Sequence, residues 1–555
     1  MKKTFLFILI LCVILFANCK HNSNNNESNY TNVSIKTSGN VYLVKMNHSK
    51  YQTVKASDTG RVVKTTSRDI TDSELNLVLP TKNFTNNIYA ENIKEIQSIL
   101  KQNSARSARA VEEEIKEEIK ILDYTVGDEN TDPTKLDFSS IGVAERINAT
   151  CKYIGEHCIV FGDDDDINKL DKGINLVSTS PEDNPYKKLA LKFDECYELE
   201  TAIIGSPIYT KYRSPYFVPC SDKIILLVTD IEGDATPKQD YGIAGAFKPA
   251  DLFADSYFDN KKLSNELEIL YIDSLFLTEQ EDLIYSTLVH EFNHLINFVI
   301  KTINYFANNK NAIFNNITFE SHSCATWFTE MLAMTTEDMF IDKLNTSFES
   351  SPWYRLPYFD MFYHYGFKLW DSEYEINELN GRGYTKKEID NFRTLINYAN
   401  TYAFGAFLAR NFGGTALIKE IAQDEWPNEN AITNAISKIY PNTNYDFNYL
   451  IEKFALSLIN IDKPTQEQIN QTGDKYYYSL NRGIKIGNSE LFFKPISLIF
   501  YYEDGSTLKP TIYDSSKKVL IQPNTFSIHK LGTNLKTVIL DNDKSSFIDY
   551  YIVEQ

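Results

Sequence analysis

Positive charge is scarce in this chain. Its 56 lysines and arginines are outweighed by 75 aspartates and glutamates, a net charge of −19 at pH 7. Without a basic face, nucleic acid is set aside as a partner class. Long apolar runs are also lacking: Phe5–Ala17 is the longest, shorter than the roughly 20 residues that span a bilayer as a helix. Cysteine is sparse, at seven, and no two pairs share metal-ligand spacing, which argues against a structural cysteine-zinc site. Histidine is sparse too, at eight. Internal repeats are absent. Hydrophobic residues at 43% and charged residues at 24% are ordinary globular values, and 555 residues suggest several domains with ample core.

Against that scarcity, two of the eight histidines stand four residues apart in Thr278–Phe298, TEQEDLIYSTLVHEFNHLINF. The spacing predicts a helix. Thr278 and Glu281 fit a capping box at its start, no proline interrupts it, and Ile284, Leu288, Leu295 and Val299 recur at helical period. On that helix His290 and His294 share one face and reach the same metal ion. Glu291 follows the first histidine, where it can stand beside a metal-bound water without taking a coordination site. The bland alternative, two core histidines with no metal, leaves a buried His-Glu-His cluster in need of partners.

A catalytic zinc usually takes three protein ligands and leaves one position open. The H-E-x-x-H-x-x-G-x-x-H extension fails, because Asn297 and Ile300 occupy the glycine and last-histidine positions. A glutamate on a following helix is the other route. Trp327–Met334, WFTEMLAM, surrounds one carboxylate with apolar residues, a costly arrangement unless a cation neutralises it. Glu330 is therefore chosen as third ligand over His322, Glu337 and Asp338.

The order KIILLVTD (Lys223–Asp230), GIAGAF (Gly242–Phe247), ILYID (Ile269–Asp273), HEFNH and WFTEMLA resembles the hyicolysin-type metallopeptidases, which are similar to the gluzincin zinc proteases. The resemblance covers roughly residues 140–460, and its specific part is the HEFNH and WFTEMLA pair. It implies an α+β, zincin-like catalytic domain: a mixed sheet, the HExxH helix, then a helical subdomain. It implies one Zn2+ per chain held by His290, His294 and Glu330, with Glu291 as catalytic base and acid in peptide-bond hydrolysis. It implies an edge strand that pairs with extended substrate, and a tyrosine or histidine that stabilises the oxyanion; Tyr398 and Tyr402 lie in the matching region. One departure is Met334. Gluzincins often place an acidic residue four positions after the ligand glutamate, so orientation of a histidine must come from elsewhere, with Glu337 and Asp338 as candidates.

The remaining chain frames this core. Met1–Lys3 carry two lysines ahead of Phe5–Ala17, and Leu15-Phe16-Ala17-Asn18-Cys19 resembles a bacterial lipoprotein box. Residues 1–18 are read as a signal peptide, Cys19 as the lipidated residue, and 19–32 as a polar tether, placing the chain on the periplasmic side or at the cell surface, held to a membrane by acyl chains. Residues 33–101 form an N-terminal β/α region, with a strand at Val41–Val44 and a helix over 83–101. Residues 102–121 read as a linker, with Val111–Lys120 as a short solvated helix; the region before it is either a pro-segment, released near Arg106 or Arg109, or a simple tether or packing domain. The catalytic subdomain covers 122–340, the helical subdomain 341–470, and a C-terminal β domain, rich in aromatic and β-branched residues, 471–555.

Within that frame, ATCKYIGEHCIVF reads as two strands joined by a Gly-Glu turn. Export would permit disulfides among Cys151, Cys158, Cys196, Cys220 and Cys324, with Cys324 the odd one. Asp163–Asp166 reads as a solvated loop. Thr385 and Glu388 open another capped helix, closed by Gly413-Gly414, and further helices follow at 416–423, 431–440 and 447–460. The sequence reading is a zinc endopeptidase acting on protein or peptide, its oligomeric state open. The alternative is a surface lipoprotein that binds partners through a zinc-bearing module with little catalysis.

Overall fold

The computed structural model describes residues 30–36, 39–50, 54–55, 62–65, 88–102, 119–141, 146–178, 180–209, 216–232, 242–258, 263–309, 316–370, 374–459, 478–480, 485–502, 504–541 and 547–554. Residues 1–18, read as a signal peptide, Cys19, and the arginines at 106 and 109 lie outside them, as does the stretch 111–118. The chain divides into two compact units: Val78–Asp360 with Trp370–Lys509, and Met1–Leu77 with Met361–Leu369 and Pro510–Gln555. Among the described residues, no helix is long and apolar enough to cross a membrane.

The larger unit mixes α and β. After helix α1 (Ile88–Gln102) come strands β1 (Lys135–Ser139), β2 (Arg146–Ile154) and β3 (Cys158–Asp163), helix α2 (Pro185–Ile203), then β4 (Ile224–Thr229), β5 (Gly245–Phe247) and β6 (Ile269–Asp273). The sheet runs β1-β2-β3-β4-β6-β5. Its centre, β3, β4 and β6, is parallel, while β1, β2 and β5 are antiparallel to their neighbours. IILLVT and ILYID are apolar up to their last residues, Thr229 and Asp273, because these central strands are buried on both faces. The short strand β5 is left at the edge.

Asp273 ends β6 and caps helix α3 (Ser274–Glu279), its carboxylate accepting the backbone N–H groups of Leu275 and Phe276. The motif helix α4 follows as Glu281–Phe298. It starts later than expected: Thr278 lies inside α3, its hydroxyl donating to the Ser274 carbonyl, so it does not cap α4. The side-chain cap sits one short helix earlier, where the Asp273 carboxylate satisfies two orphan amides at once, and α4 itself starts after Gln280 without one. Apolar side chains surround α4 on every side, which suits a helix enclosed by the unit rather than lying on its surface. Helix α2 packs on it through Phe193 and Tyr197 against Phe292.

Helices α5 (Thr326–Leu344) and α6 (Lys386–Phe412) complete the enclosure. The capping box of Thr385 and Glu388 is present at the start of α6, and Gly413 ends it at a positive φ of 130°. Helices Thr415–Gln423, Glu429–Ile439 and Phe447–Ile459 follow.

Two sequence expectations change here. The five described cysteines are buried and free. The β2/β3 register sets Phe161 opposite Cys151, which leaves Cys158 out of cross-strand reach, beside the Ala190 carbonyl. The aspartate run is not all solvated. Asp166 is buried, pairs with Lys169 and accepts the Asp230 amide, while Asp163 accepts from the Thr229 hydroxyl.

The smaller unit joins the two ends of the sequence. The strand Asn40–Asn47 lies between Thr525–Thr533 and Ile548–Glu554, antiparallel to both, and Tyr513–Asp514 adds at the outside. A second sheet sets Thr537–Asp541 between Tyr30–Ser34 and Val62–Thr65. Val41, Leu43, Leu531, Leu535, Val538 and Leu540 form its core. The terminal β regions that sequence treats separately are thus one body, and residues 30–32, read as tether, belong to a strand. The C-terminal β region itself divides, because only its part from Pro510 onward finds these partners.

Candidate metal centre

Helix geometry puts the His290 and His294 rings on one side of α4, and α5 runs alongside to bring up Glu330. The two Nε2 atoms are 3.1 Å apart. Glu330 Oε2 lies 3.2 Å from His290 Nε2, and Oε1 3.5 Å from His294 Nε2. All three side chains are buried, and their ligand atoms lie within 4.8 Å of one another.

The outward ring nitrogens are already engaged. His290 Nδ1 is 2.7 Å from Glu337 Oε1, and Glu337 Oε2 accepts from the Ser286 hydroxyl at 2.8 Å. A carboxylate can only accept, so His290 Nδ1 carries a proton and the ring is held with Nε2 turned inward. His294 Nδ1 meets the Thr329 hydroxyl at 2.9 Å, and the Tyr89 ring of α1 stacks on His294 with centroids 5.1 Å apart. Glu330 Oε2 is buried with no hydrogen-bond partner. The two Nε2 atoms and a carboxylate oxygen that accepts no hydrogen bond therefore converge at one buried point. Two nitrogens and one oxygen suit a borderline divalent ion such as zinc.

The charges respond to one another. Burial alone would push His290 down, but Glu330 and Glu337 reverse that and hold it well above its ordinary value. Burial would push Glu330 up, yet His294 and His290 hold it down to about 2. Glu291 is raised, chiefly by burial, with His290 and His294 opposing and Glu330 adding to the rise.

Glu291 lines a cleft beside the ligand cluster. Thr287, His290 and Glu291 of α4 line it, with Gly245 of the edge strand and Ala244 just before it, Tyr398 of α6, and Arg355 and Tyr358 from the segment after α5. A Cβ at Gly245 would come within 2.5 Å of Thr287 Cγ2 and 3.0 Å of the Tyr271 carbonyl, so glycine lets β5 lie close against α4.

The two tyrosines named from sequence have different places. Tyr398 lines the cleft and packs edge-on against Trp370, with centroids 4.8 Å apart. Burial first, then the nearby Glu330, raises its hydroxyl well above the ordinary value, so it stays a proton donor. Tyr402 instead donates to Asp338 Oδ2 at 3.0 Å and does not line the cleft. Asp338 also takes both Arg410 terminal nitrogens, at 2.7 and 3.0 Å, and Trp353 Nε1 at 3.0 Å. It pins the cleft wall instead of binding in the cluster. His322 is engaged elsewhere, stacked on Tyr305 at 3.3 Å.

Glu337, one turn beyond Met334 on α5, supplies the carboxylate missing at position 334. Thr329, Tyr89 and Arg355 were not singled out from sequence. Thr329 is adjacent to Glu330, the only local hint; nothing in the chain pattern marks the other two.

No family model matches the chain. Over 235 residues, 41% of this chain, it is 26% identical to the neutral metalloprotease ShpI of Staphylococcus hyicus, covering 44% of that protein. The chain thus matches less than half the length of that curated relative.

Proposed function

We infer that this chain is a zinc-dependent endopeptidase that hydrolyses peptide bonds in proteins. The observation that carries the reading is the convergence of His290 Nε2, His294 Nε2 and Glu330 at one buried point, with Glu291 beside it in an open cleft. The similarity to a named metalloprotease supports the same reaction class.

His290, His294 and Glu330 would hold the ion, with Glu337 and Thr329 fixing the two rings. Zinc bound there supplies a Lewis acid that polarises a carbonyl and brings a water toward neutrality in acidity. Glu291 takes a proton from the attacking water and returns it to the leaving amine, a role suited to a carboxylate whose affinity for protons burial has raised. Tyr398 offers its hydroxyl to the oxyanion. The β5 edge at Ala244 and Gly245 offers main-chain groups to an extended substrate. The sequence around Cys19 supports export and attachment to a membrane surface by acyl chains; radiolabelled palmitate incorporation that persists in Cys19→Ser would refute that attachment.

Metal analysis and casein cleavage of the parent and Glu291→Gln test the assignment. Both proteins should bind about one zinc per chain, and the variant should lose on the order of 10²–10⁴ in rate. A folded parent that takes up no zinc would end the reading, and undiminished cleavage by Glu291→Gln would remove Glu291 from the base role.

A further inference from the structure

The cleft contains a cation that the chemistry above does not use. Arg355 lines the cleft together with His290 and Glu291. Its guanidinium sits over the Tyr398 ring, 5.4 Å from the centroid. Among the described residues no carboxylate, carbonyl or hydroxyl pairs with it. The segment carrying it is held in place: Pro352–Arg355 is a single tight turn, and Trp353 is tied to the buried Asp338–Arg410 pair. The guanidinium is therefore positioned before any substrate arrives, with one face on an aromatic ring and its fork of donors unfilled.

Glu349 lines the same cleft but is exposed. An exposed charge is solvated and screened, and gains little from a partner. Arg355 is half-buried and partly desolvated by Tyr398, so an oxygen anion gains more there, especially one that accepts two parallel hydrogen bonds.

We propose that Arg355, oriented by Tyr398, is a specificity-determining residue that binds a carboxylate of the substrate close to the scissile bond. The carboxylate is an Asp or Glu side chain, or the free C-terminus of a peptide. This rests on the peptidase reading. It means that a strongly acidic protein, which repels acidic substrates at long range, selects them locally at its cleft.

Internally quenched peptides test it, in matched pairs: Asp or Glu against Asn or Gln beside the cleaved bond, and free acid against amide at a C-terminus close to it. The parent should favour one acid set by about tenfold or more in kcat/KM, and the set favoured identifies the source of the carboxylate. Arg355→Gln should bring that ratio close to one, and Arg355→Lys should restore part of it. A ratio near one in the parent, or an unchanged ratio in Arg355→Gln, overturns the proposal. So does a preference for basic flanks that Glu349→Gln removes. The same pairs are titrated calorimetrically into zinc-loaded Glu291→Gln protein. If the parent cleaves none of them, the peptidase reading falls, while tighter binding of the acid forms, lost in Arg355→Gln, still upholds the carboxylate site. Equal binding of acid and amide overturns it.

Discussion

Each compact unit buries a pair of histidines, and the two pairs behave in opposite ways. In the smaller unit His364 Nδ1 meets the Tyr513 hydroxyl at 2.8 Å. His529 meets the Ser527 hydroxyl at 2.8 Å and the Asp514 carbonyl at 3.1 Å. These partners are uncharged, so burial dominates and pushes His364 down to about 3 and His529 to about 4. In the larger unit Glu330 and Glu337 stand against His290 and overturn the same burial penalty. Buried paired histidines are therefore a neutral polar core in one place and a cation site in the other. What separates them is a carboxylate with no other partner, and a geometry that turns both Nε2 atoms to one point.

That contrast can be broken at its decisive atom. Glu330→Ala should reduce the metal centre to a histidine pair like the one in the smaller unit. Zinc content should fall from about one per chain to near zero and peptidase activity should go with it, as metal analysis beside a casein assay would show. A variant that kept stoichiometric zinc would show that the carboxylate is not what distinguishes the two pairs.

A large effect on stability is expected at Asp338→Ala, which leaves Arg410 buried and uncompensated. Breaking a buried pair from one side costs about 3–5 kcal/mol, readable from the denaturant midpoint. Loss of only a few tenths would mean that water reaches Arg410 and that the wall is not held as described.

The smaller unit should be acid-labile in its own way. Above pH 6.5 its two histidines are neutral whether folded or unfolded, so they cost nothing. Below that, the unfolded chain takes up protons that the folded unit refuses until pH approaches 4 for His529 and 3 for His364. Stability is therefore lost as pH falls from 6.5, by about 1.4 kcal/mol per pH unit for each histidine. Amide exchange in Asn40–Asn47 and Thr525–Thr533 between pH 7 and pH 4.5 measures it, and replacing both histidines with glutamine should flatten the slope. An unchanged slope would place the acid sensitivity elsewhere.

The smallest effect sharpens the contrast most. Glu337→Gln replaces the charged partner of His290 Nδ1 with a neutral one, like those of His529, while the three inward atoms, Glu330 included, remain. Zinc affinity should fall about 10–100-fold without being abolished, as competition with a chelator would report. No change would show that Ser286 and the rest of α5 orient the ring without the charge.

Much of the centre was legible because it is local. Two histidines at i and i+4, and an acid between them, need only a helix to be placed, and the scarcity of histidine elsewhere makes the pattern stand out. Glu330 was legible by a different argument, the cost of a lone carboxylate among Trp327, Phe328 and Met331. Less legible were the details that depend on competition. Thr278 looks like a helix cap until Asp273 takes that work upstream. Cys151 and Cys158 look pairable until the strand register sets Phe161 opposite Cys151 and leaves Cys158 beside Gly155.

The sequence by itself determined the motif helix, the capped helix from Thr385 and those after it, the central apolar strands and the identity of three side chains that converge, since periodicity and spacing are properties of neighbouring residues. Only the tertiary structure decided between Glu337 and Asp338. Consecutive residues on a helix point about 100° apart, so Glu337 meets His290 while Asp338 meets Arg410, and nothing along the chain says which helix lies on which side. The same holds for Tyr398 over Tyr402, for Arg355 in the cleft, and for the strand Asn40–Asn47 lodged between strands from the far end of the chain. Each depends on which surfaces meet, and that is settled by packing across the whole fold, not by the residues beside them in sequence.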